Sequence, residues 1–454
     1  MKVSIAADER EEQIIQELLS PWDISYTPHD ESDVTIVYGK NPSAFSQTIV
    51  IPSCSASFDR WTKSTNRCVT KKHGNYSVRA TSELALSIIP ELTYECKVFP
   101  KENEDLSAIL AFDIVNEYKR IMRETLCAKA SLSYTLFTTL PLPYNIIPRR
   151  FRNTLMKRGS IAKDFNVSNI LPIDALRFEL LRKIEHLSEK KIRLRGWGQN
   201  KKCVCAITHD VETRAGLFRS VKIKKLEEKY DISSAWYIPS AEYSLDRETI
   251  ATLANSGEVG SHDTKHDGRL SSLSEKTLTA RLQDSKSALE KIVKNKVVGF
   301  RAPLLQHNPD IFSSLKDCGY QYDTSVPTWE AKHPRTMRCH GIGTIFPISI
   351  SGIRELPVTI MQDHQFLYVL GYAPKEVVAA YLTTLTVIKE LGGACVLLIH
   401  PEYGLLDSKG LPLYEELLSS IACDNEILIE LPRKICASNT DKRTTWTDEN
   451  HVYS

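Results

Sequence analysis

The sequence predicts an α/β protein whose C-terminal half is built on a parallel sheet. Two observations carry that prediction. From Cys203 onward, short β-prone runs alternate with helical periodicities, and chemically active polar residues recur where the β runs end. Composition adds that there is enough apolar material for more than one core: the chain has 454 residues, 42% hydrophobic and 25% charged. A net charge of +2, from 58 Lys plus Arg against 56 Asp plus Glu, gives no general attraction to a polyanion, so a nucleic-acid partner is not expected.

In chain order, residues 1–195 read as an accessory α/β region with a helical connector. Extended runs are expected at 34–37 and 48–51, and a helix near 11–19. Over 104–128, Leu106, Ile109, Leu110, Ile114, Val115, Tyr118 and Ile121 fall at helical spacing and predict one helix of about five turns. Pro141, Pro143 and Pro148 then impose an extended connector, because each lacks a donor and restrains the residue before it. The basic cluster Arg149, Arg150, Arg152, Lys157 and Arg158 reads as a solvated face, with contact to an anionic substrate or membrane surface as the alternative. Another helix is expected over 174–189. Arg195-Gly196-Trp197-Gly198 reads as a turn into the next domain, at 196–410. A C-terminal helix and tail occupy 411–454.

Within 196–410, strands are expected at 203–207, 234–238, 258–260, 297–300, 320–324, within 344–358 and at 394–399, and helices at 218–229, 246–255, 274–291, 309–318 and 374–391. Asn308 and Pro309 form a capped helix start. About seven strands alternating with helices imply a parallel sheet, closed as a barrel or open and doubly wound. Either way, functional loops gather at the C-terminal ends of the strands.

The polar residues obey that rule. The first strand exits into Asp210-Val211-Glu212, two acids that can divide metal binding and proton abstraction. The third exits into His262-Asp263-Thr264-Lys265-His266-Asp267, where a helical turn would bring both imidazoles to one ion. Asp263 or Asp267 could orient a ring by accepting its second N–H. Arg301 follows the fourth strand with a donor fork suited to a catalytic carboxylate or a substrate oxygen, although a structural ion pair would explain one arginine equally well. His400 ends the last strand, in position for a general acid.

The 11 cysteines are odd in number and scattered, which fits reduced thiols. Cys203 and Cys205 read as small, half-buried residues on one strand face. The opening apolar run breaks at Asp8, and no segment approaches the roughly 18 uncharged apolar residues of a membrane span, so a cytoplasmic chain without a transmembrane segment is expected.

This set of motifs resembles the NodB-homology polysaccharide deacetylases, the carbohydrate esterase 4 superfamily. Thr208-His209-Asp210 matches the start of its first motif, Val211 replaces the second acid, and Glu212 stands next to it. His262 and His266 match His-x-x-x-His, Arg301-Ala302-Pro303 matches Arg-x-Pro, and Leu398-Ile399-His400 matches the apolar run ending in histidine. Gly319 to Ser325 resembles the strand beyond the third motif. The zone of the fourth motif holds Trp329, Glu355 and Asp363 as loose candidates.

The resemblance implies a distorted (β/α) barrel and a divalent metal, commonly zinc, held by Glu212, His262 and His266, with Asp210 as the alternative ligand. It implies catalysis by Asp210 as base, Arg301 as its restraint and His400 as acid, acting on an N-acetylated sugar or glycoconjugate. Hydrolysis of another linear or cyclic C–N bond and an inactive carbohydrate-binding module are the alternatives. A cytoplasmic location would favour a small precursor or nucleotide-linked sugar over a long polymer.

Overall fold

The computed structural model describes residues 1–40, 45, 47–51, 98–100, 106–110, 113–132, 134–135, 171–198, 200–336 and 340–438. The proline-rich connector and the basic cluster at 149–158 lie outside the described residues. The described residues divide into two units, one holding those of 1–124 and 171–196, the other those of 125–135 and 197–438.

In the first unit, β1 (Lys2–Ala6), β2 (Ser25–Tyr26), β3 (Val34–Tyr38), β4 (Thr48–Ile51), β5 (Val98–Pro100) and β6 (Leu106–Ile109) form one sheet in the order β2-β1-β3-β4-β6-β5. It is parallel except where β5 meets β6. Its helices are α1 (Glu9–Leu19), α2 (Ile114–Leu126) and α3 (Pro172–Ser188). The single helix expected over 104–128 is thereby corrected, since 106–109 are strand and the helix starts at Ile114. Two forces decide this. Ser107 to Ile109 pair with Thr48 to Val50, and the Asp113 carboxylate accepts the Asn116 N–H at 2.9 Å, capping the helix at that point. Local periodicity cannot see a ladder made with a distant segment.

The second unit is built on β7 (Cys203–Asp210), β8 (Ala235–Ile238), β9 (Glu258–Ser261), β10 (Gly299–Phe300), β11 (Tyr322–Asp323), β12 (Ile348–Ile350), β13 (Ile353–Glu355), β14 (Ala394–Leu398) and β15 (Ile427–Ile429). The order is β12-β13-β11-β10-β9-β8-β7-β14, and β15 also pairs with β7. Between the strands run α4 (Arg214–Glu228), α5 (Arg247–Ala254), α6 (Glu275–Val293), α7 (Pro309–Asp317) and α8 (Pro374–Leu391), followed by α9 (Leu411–Ala422) and α10 (Pro432–Ser438). Side-chain caps set several starts: Thr213, Asp246 and Asn308 each accept an N–H from the first turn of α4, α5 and α7.

The sheet curls toward closure. Beyond β13, the Ile360 N–H donates to the Val396 carbonyl at 3.2 Å, and the Val396 N–H donates to Thr359 Oγ1 at 2.6 Å. A distorted α/β barrel results, as expected. The region 344–358 adds a feature the alternation did not suggest, because it holds two antiparallel strands, β12 and β13.

Strand alternation sorts the interior from the helical face. Val204, Ala206, Ala235, Tyr237, Tyr322, Leu356, Ala394 and Val396 pack together inside the barrel, with Ile435 and Cys436 of α10 joining them. Gly260 and Gly299 make room for the tyrosines: a Cβ at Gly260 would sit 2.5 Å from the Tyr237 ring, and one at Gly299 would sit 2.1 Å from the Tyr322 hydroxyl. On the outer face, Cys203 and Cys205 are fully buried free thiols rather than half-buried ones, because β7 is covered on both sides. His209 shares that face, stacks on Trp236 at 4.2 Å, and has its ring nitrogens 2.8 Å from the Ile399 carbonyl and 2.8 Å from Glu227 Oε1.

Candidate metal and catalytic site

Continuing the inward register of each strand leads to the site. Val204, Ala206 and Thr208 are followed by Asp210, Gly299 by Arg301, and Ala394, Val396 and Leu398 by His400. Arg301 is wholly buried and ties three strand exits together. Its Nη1 donates to Asp210 Oδ1 at 3.1 Å and to Thr208 Oγ1 at 2.8 Å, its Nε to the Thr324 carbonyl at 2.9 Å, and its Nη2 to Thr324 Oγ1 at 3.0 Å. The guanidinium also lies 4.4 Å from the Tyr237 ring centroid.

Buried carboxyls support this part of the barrel. Asp323 Oδ1 accepts the Ser325 hydroxyl at 2.7 Å, Ser325 Oγ accepts the Ala302 N–H at 2.8 Å, and Glu355 Oε1 accepts the Val326 N–H at 2.9 Å. Burial and the adjoining Asp323 push Glu355 well above the usual carboxylate range.

His262 leaves β9 with its Nδ1–H donating to the Arg301 carbonyl at 2.8 Å. That bond leaves Nε2 as the lone-pair nitrogen, and Nε2 is buried without a hydrogen-bond partner among the described residues, 3.9 Å from Asp210 Oδ2. His266 Nε2 lies 3.0 Å from Glu212 Oε1 but outside hydrogen-bond geometry. One donor atom from each of Glu212, His262 and His266 falls within 4.8 Å of the others.

The expected helical turn between the histidines is not what joins them. Residues 263–266 are an irregular loop with Asp263 at φ +66°, and the ring centroids come to 5.6 Å. Contrary to the expectation that one of them orients a ring, Asp263 and Asp267 hold neither imidazole; both carboxylates bind Arg281. Arginine outcompetes a ring N–H here because its fork satisfies two acids at once.

Burial drives His262 down to about 4, despite Asp210, and keeps the ring neutral. Burial alone would raise Glu212, but nearby His266 outweighs it and holds the acid well below its usual range. For His266, burial is likewise outweighed, by Glu212, and its value rises.

On the opposite side, His400 Nδ1–H donates to Asp363 Oδ1 at 2.6 Å and its backbone N–H donates to Asp363 Oδ2 at 3.0 Å. Its Nε2 lies 3.7 Å from Glu212 Oε1. Burial opposes protonation, yet Asp363 raises His400 to about 9. Of the three loose candidates for the fourth motif, Asp363 therefore reaches the site, Glu355 stands behind Arg301, and Trp329 is half-buried. Sequence reasoning gave no role to Tyr403, whose hydroxyl donates to Glu212 Oε2 at 3.1 Å, or to Glu402, whose Oε1 accepts the Thr213 N–H at 2.9 Å. Burial raises Glu402 to about 7. Their place directly after His400 was the only local signal.

All six residues singled out from sequence thus converge. Residues 198–322 match the family model described as polysaccharide deacetylase. That match lies within the second unit. The matched stretch contains Asp210, Glu212, His262, His266 and Arg301, while Asp363 and His400 lie beyond it.

No curated protein matches the chain. Among solved structures, a Mycobacterium smegmatis protein assigned as a polysaccharide deacetylase is similar at 18% identity and TM-score 0.45, covering 53% of this chain and 91% of that one. An allantoinase is similar at 13% identity and TM-score 0.41, covering 53% and 91%. A Bacillus anthracis carbohydrate esterase 4 pseudoenzyme is similar at 13% identity and TM-score 0.35, covering 52% and 66%.

Proposed function

We propose that the second unit is a metal-dependent hydrolase that removes the acetyl group from an N-acetylated sugar or glycoconjugate, with zinc as its metal. The observation that carries this reading is the buried, unpartnered Nε2 of neutral His262, grouped with donor atoms of His266 and Glu212. Two imidazoles and one carboxylate suit zinc and leave a coordination position open. Glu212 is assigned as ligand because it stands beside His266, whereas one oxygen of Asp210 is already engaged by Arg301.

Zinc bound there supplies Lewis acidity toward an amide carbonyl and toward water. Asp210, held in one orientation by Arg301, takes the proton as water attacks. His400, backed by Asp363, gives a proton to the leaving amine.

The test uses the purified full chain. Zinc should bind stoichiometrically and be lost in the joint variant His262→Ala, His266→Ala; unchanged occupancy there would sink the site. Glu212→Gln should lower occupancy, whereas Asp210→Asn should keep zinc and stop turnover. Acetate released from N-acetylated amino sugars supports the reading. Ammonia or ring opening from ureides and cyclic amides would move it to another C–N bond, and glycan binding with neither product would make it a binding module.

A further inference from the structure

Neither imidazole of the proposed metal centre is held by the acids beside it in sequence, so something else must set the loop that carries them. That loop is gripped by α6. Arg281 Nε donates to Asp263 Oδ1 at 2.7 Å, and its Nη2 stands 2.6 Å from Asp263 Oδ2. Its Nη1 donates to Asp267 Oδ2 at 2.9 Å, and Nη2 also reaches Asp267 Oδ1 at 3.0 Å and the Lys265 carbonyl at 2.8 Å. One turn further on, Ser285 Oγ donates to the Asp263 carbonyl at 2.7 Å. The Asp263 carbonyl also accepts the Ser240 N–H at 2.9 Å.

These bonds converge on the one residue of the loop that needs them. Asp263 has φ +66°, a left-handed conformation that a non-glycine residue adopts only when its surroundings enforce it. Its side chain is 1% exposed and sits between the two histidines in sequence. Releasing it would let His266 swing relative to His262, whose own ring is fixed by the Arg301 carbonyl.

We infer that Arg281 is a positioning residue for the metal centre: by clasping Asp263 and Asp267 it presets loop 262–267 so that both imidazole donors are together before the ion binds. The inference rests on the metal-centre reading above. Arg281 touches neither imidazole and acts only through the loop.

The experiment measures zinc affinity of the full chain by competition with a chromophoric chelator, alongside thermal stability of the zinc-free form, for wild type, Arg281→Lys and Arg281→Gln. Lysine keeps the charge and loses the fork. Both variants should bind zinc about 10- to 100-fold more weakly, and kcat should recover toward wild type at saturating zinc. A folded Arg281→Lys chain with wild-type zinc affinity overturns the clasp, even if its Tm falls, since that is the signature of a merely structural role. Should the Arg281 variants not fold, Asp267→Asn removes only the more exposed arm; a smaller loss of affinity supports the clasp and no loss overturns it. A wild-type chain that binds no zinc removes the metal centre and the clasp together.

Discussion

Arg177 in the first unit and Arg301 in the second are both completely buried, and both pair with carboxylates. Arg177 joins α1 to α3, with Nη2 3.2 Å from Glu17 Oε1 and Nη1 3.3 Å from Asp174 Oδ1. Arg301 joins strand exits, and the acid it holds faces a histidine nitrogen that has no hydrogen-bond partner among the described residues. A buried guanidinium is therefore no sign of chemistry by itself, since folding alone explains Arg177. What marks Arg301 is the group of donor atoms from Glu212, His262 and His266 that lies beyond its carboxylate.

The largest expected contrast comes from the acids. Asp210→Asn should lower kcat by about 10²- to 10⁴-fold with zinc retained, together with a loss of stability, because it too removes one charge of a buried pair. Glu17→Gln should leave kcat intact and lower stability by up to about 3–5 kcal/mol, because it removes one charge of a buried pair. Denaturant titration and steady-state kinetics on both variants decide it; equal losses of turnover would erase the distinction.

The arginines should separate next. Arg301→Lys cannot hold Asp210 and both Thr324 acceptors at once, and the displaced base should cost about 10²-fold in kcat. Arg177→Lys should register only in Tm.

The smallest effect sharpens the comparison within the second unit. Glu355 has its folded-state pKa raised above the ordinary 4.5, so the folded chain retains a proton that the unfolded chain releases as pH rises. Stability is therefore lost above pH 4.5, by at most about 1.4 kcal/mol per pH unit, until the folded-state value is reached. Glu355→Gln keeps an acceptor for the Val326 N–H and removes this dependence. Its Tm advantage over wild type should widen from pH 5 to pH 8; a constant gap would show that Glu355 is ionised in the fold.

Much of the second unit was legible because period-2 alternation is a local property. It carried Val204, Ala206 and Thr208 through to Asp210, and Ala394, Val396 and Leu398 through to His400, so the strand exits could be located from the chain alone. The helix ends were legible where a cap was present, as at Asn308 and Pro309. The helix expected over 104–128 failed for the converse reason, since β6 exists through pairing with β4. The loop joining His262 to His266 also escaped local reasoning: the four-residue spacing suggested a helical turn, and an arginine on α6 imposed a left-handed Asp263 instead.

The sequence by itself determined which side chains leave the strands toward the barrel mouth and which chemistry they can perform. Only the tertiary structure decided their partners: Arg281 rather than an imidazole for Asp263 and Asp267, Asp363 rather than Glu355 for His400, and the Arg301 carbonyl for His262. The reason is physical. A side chain's direction follows from backbone alternation, whereas the satisfaction of buried polar groups depends on which distant donors and acceptors the closed sheet brings within reach.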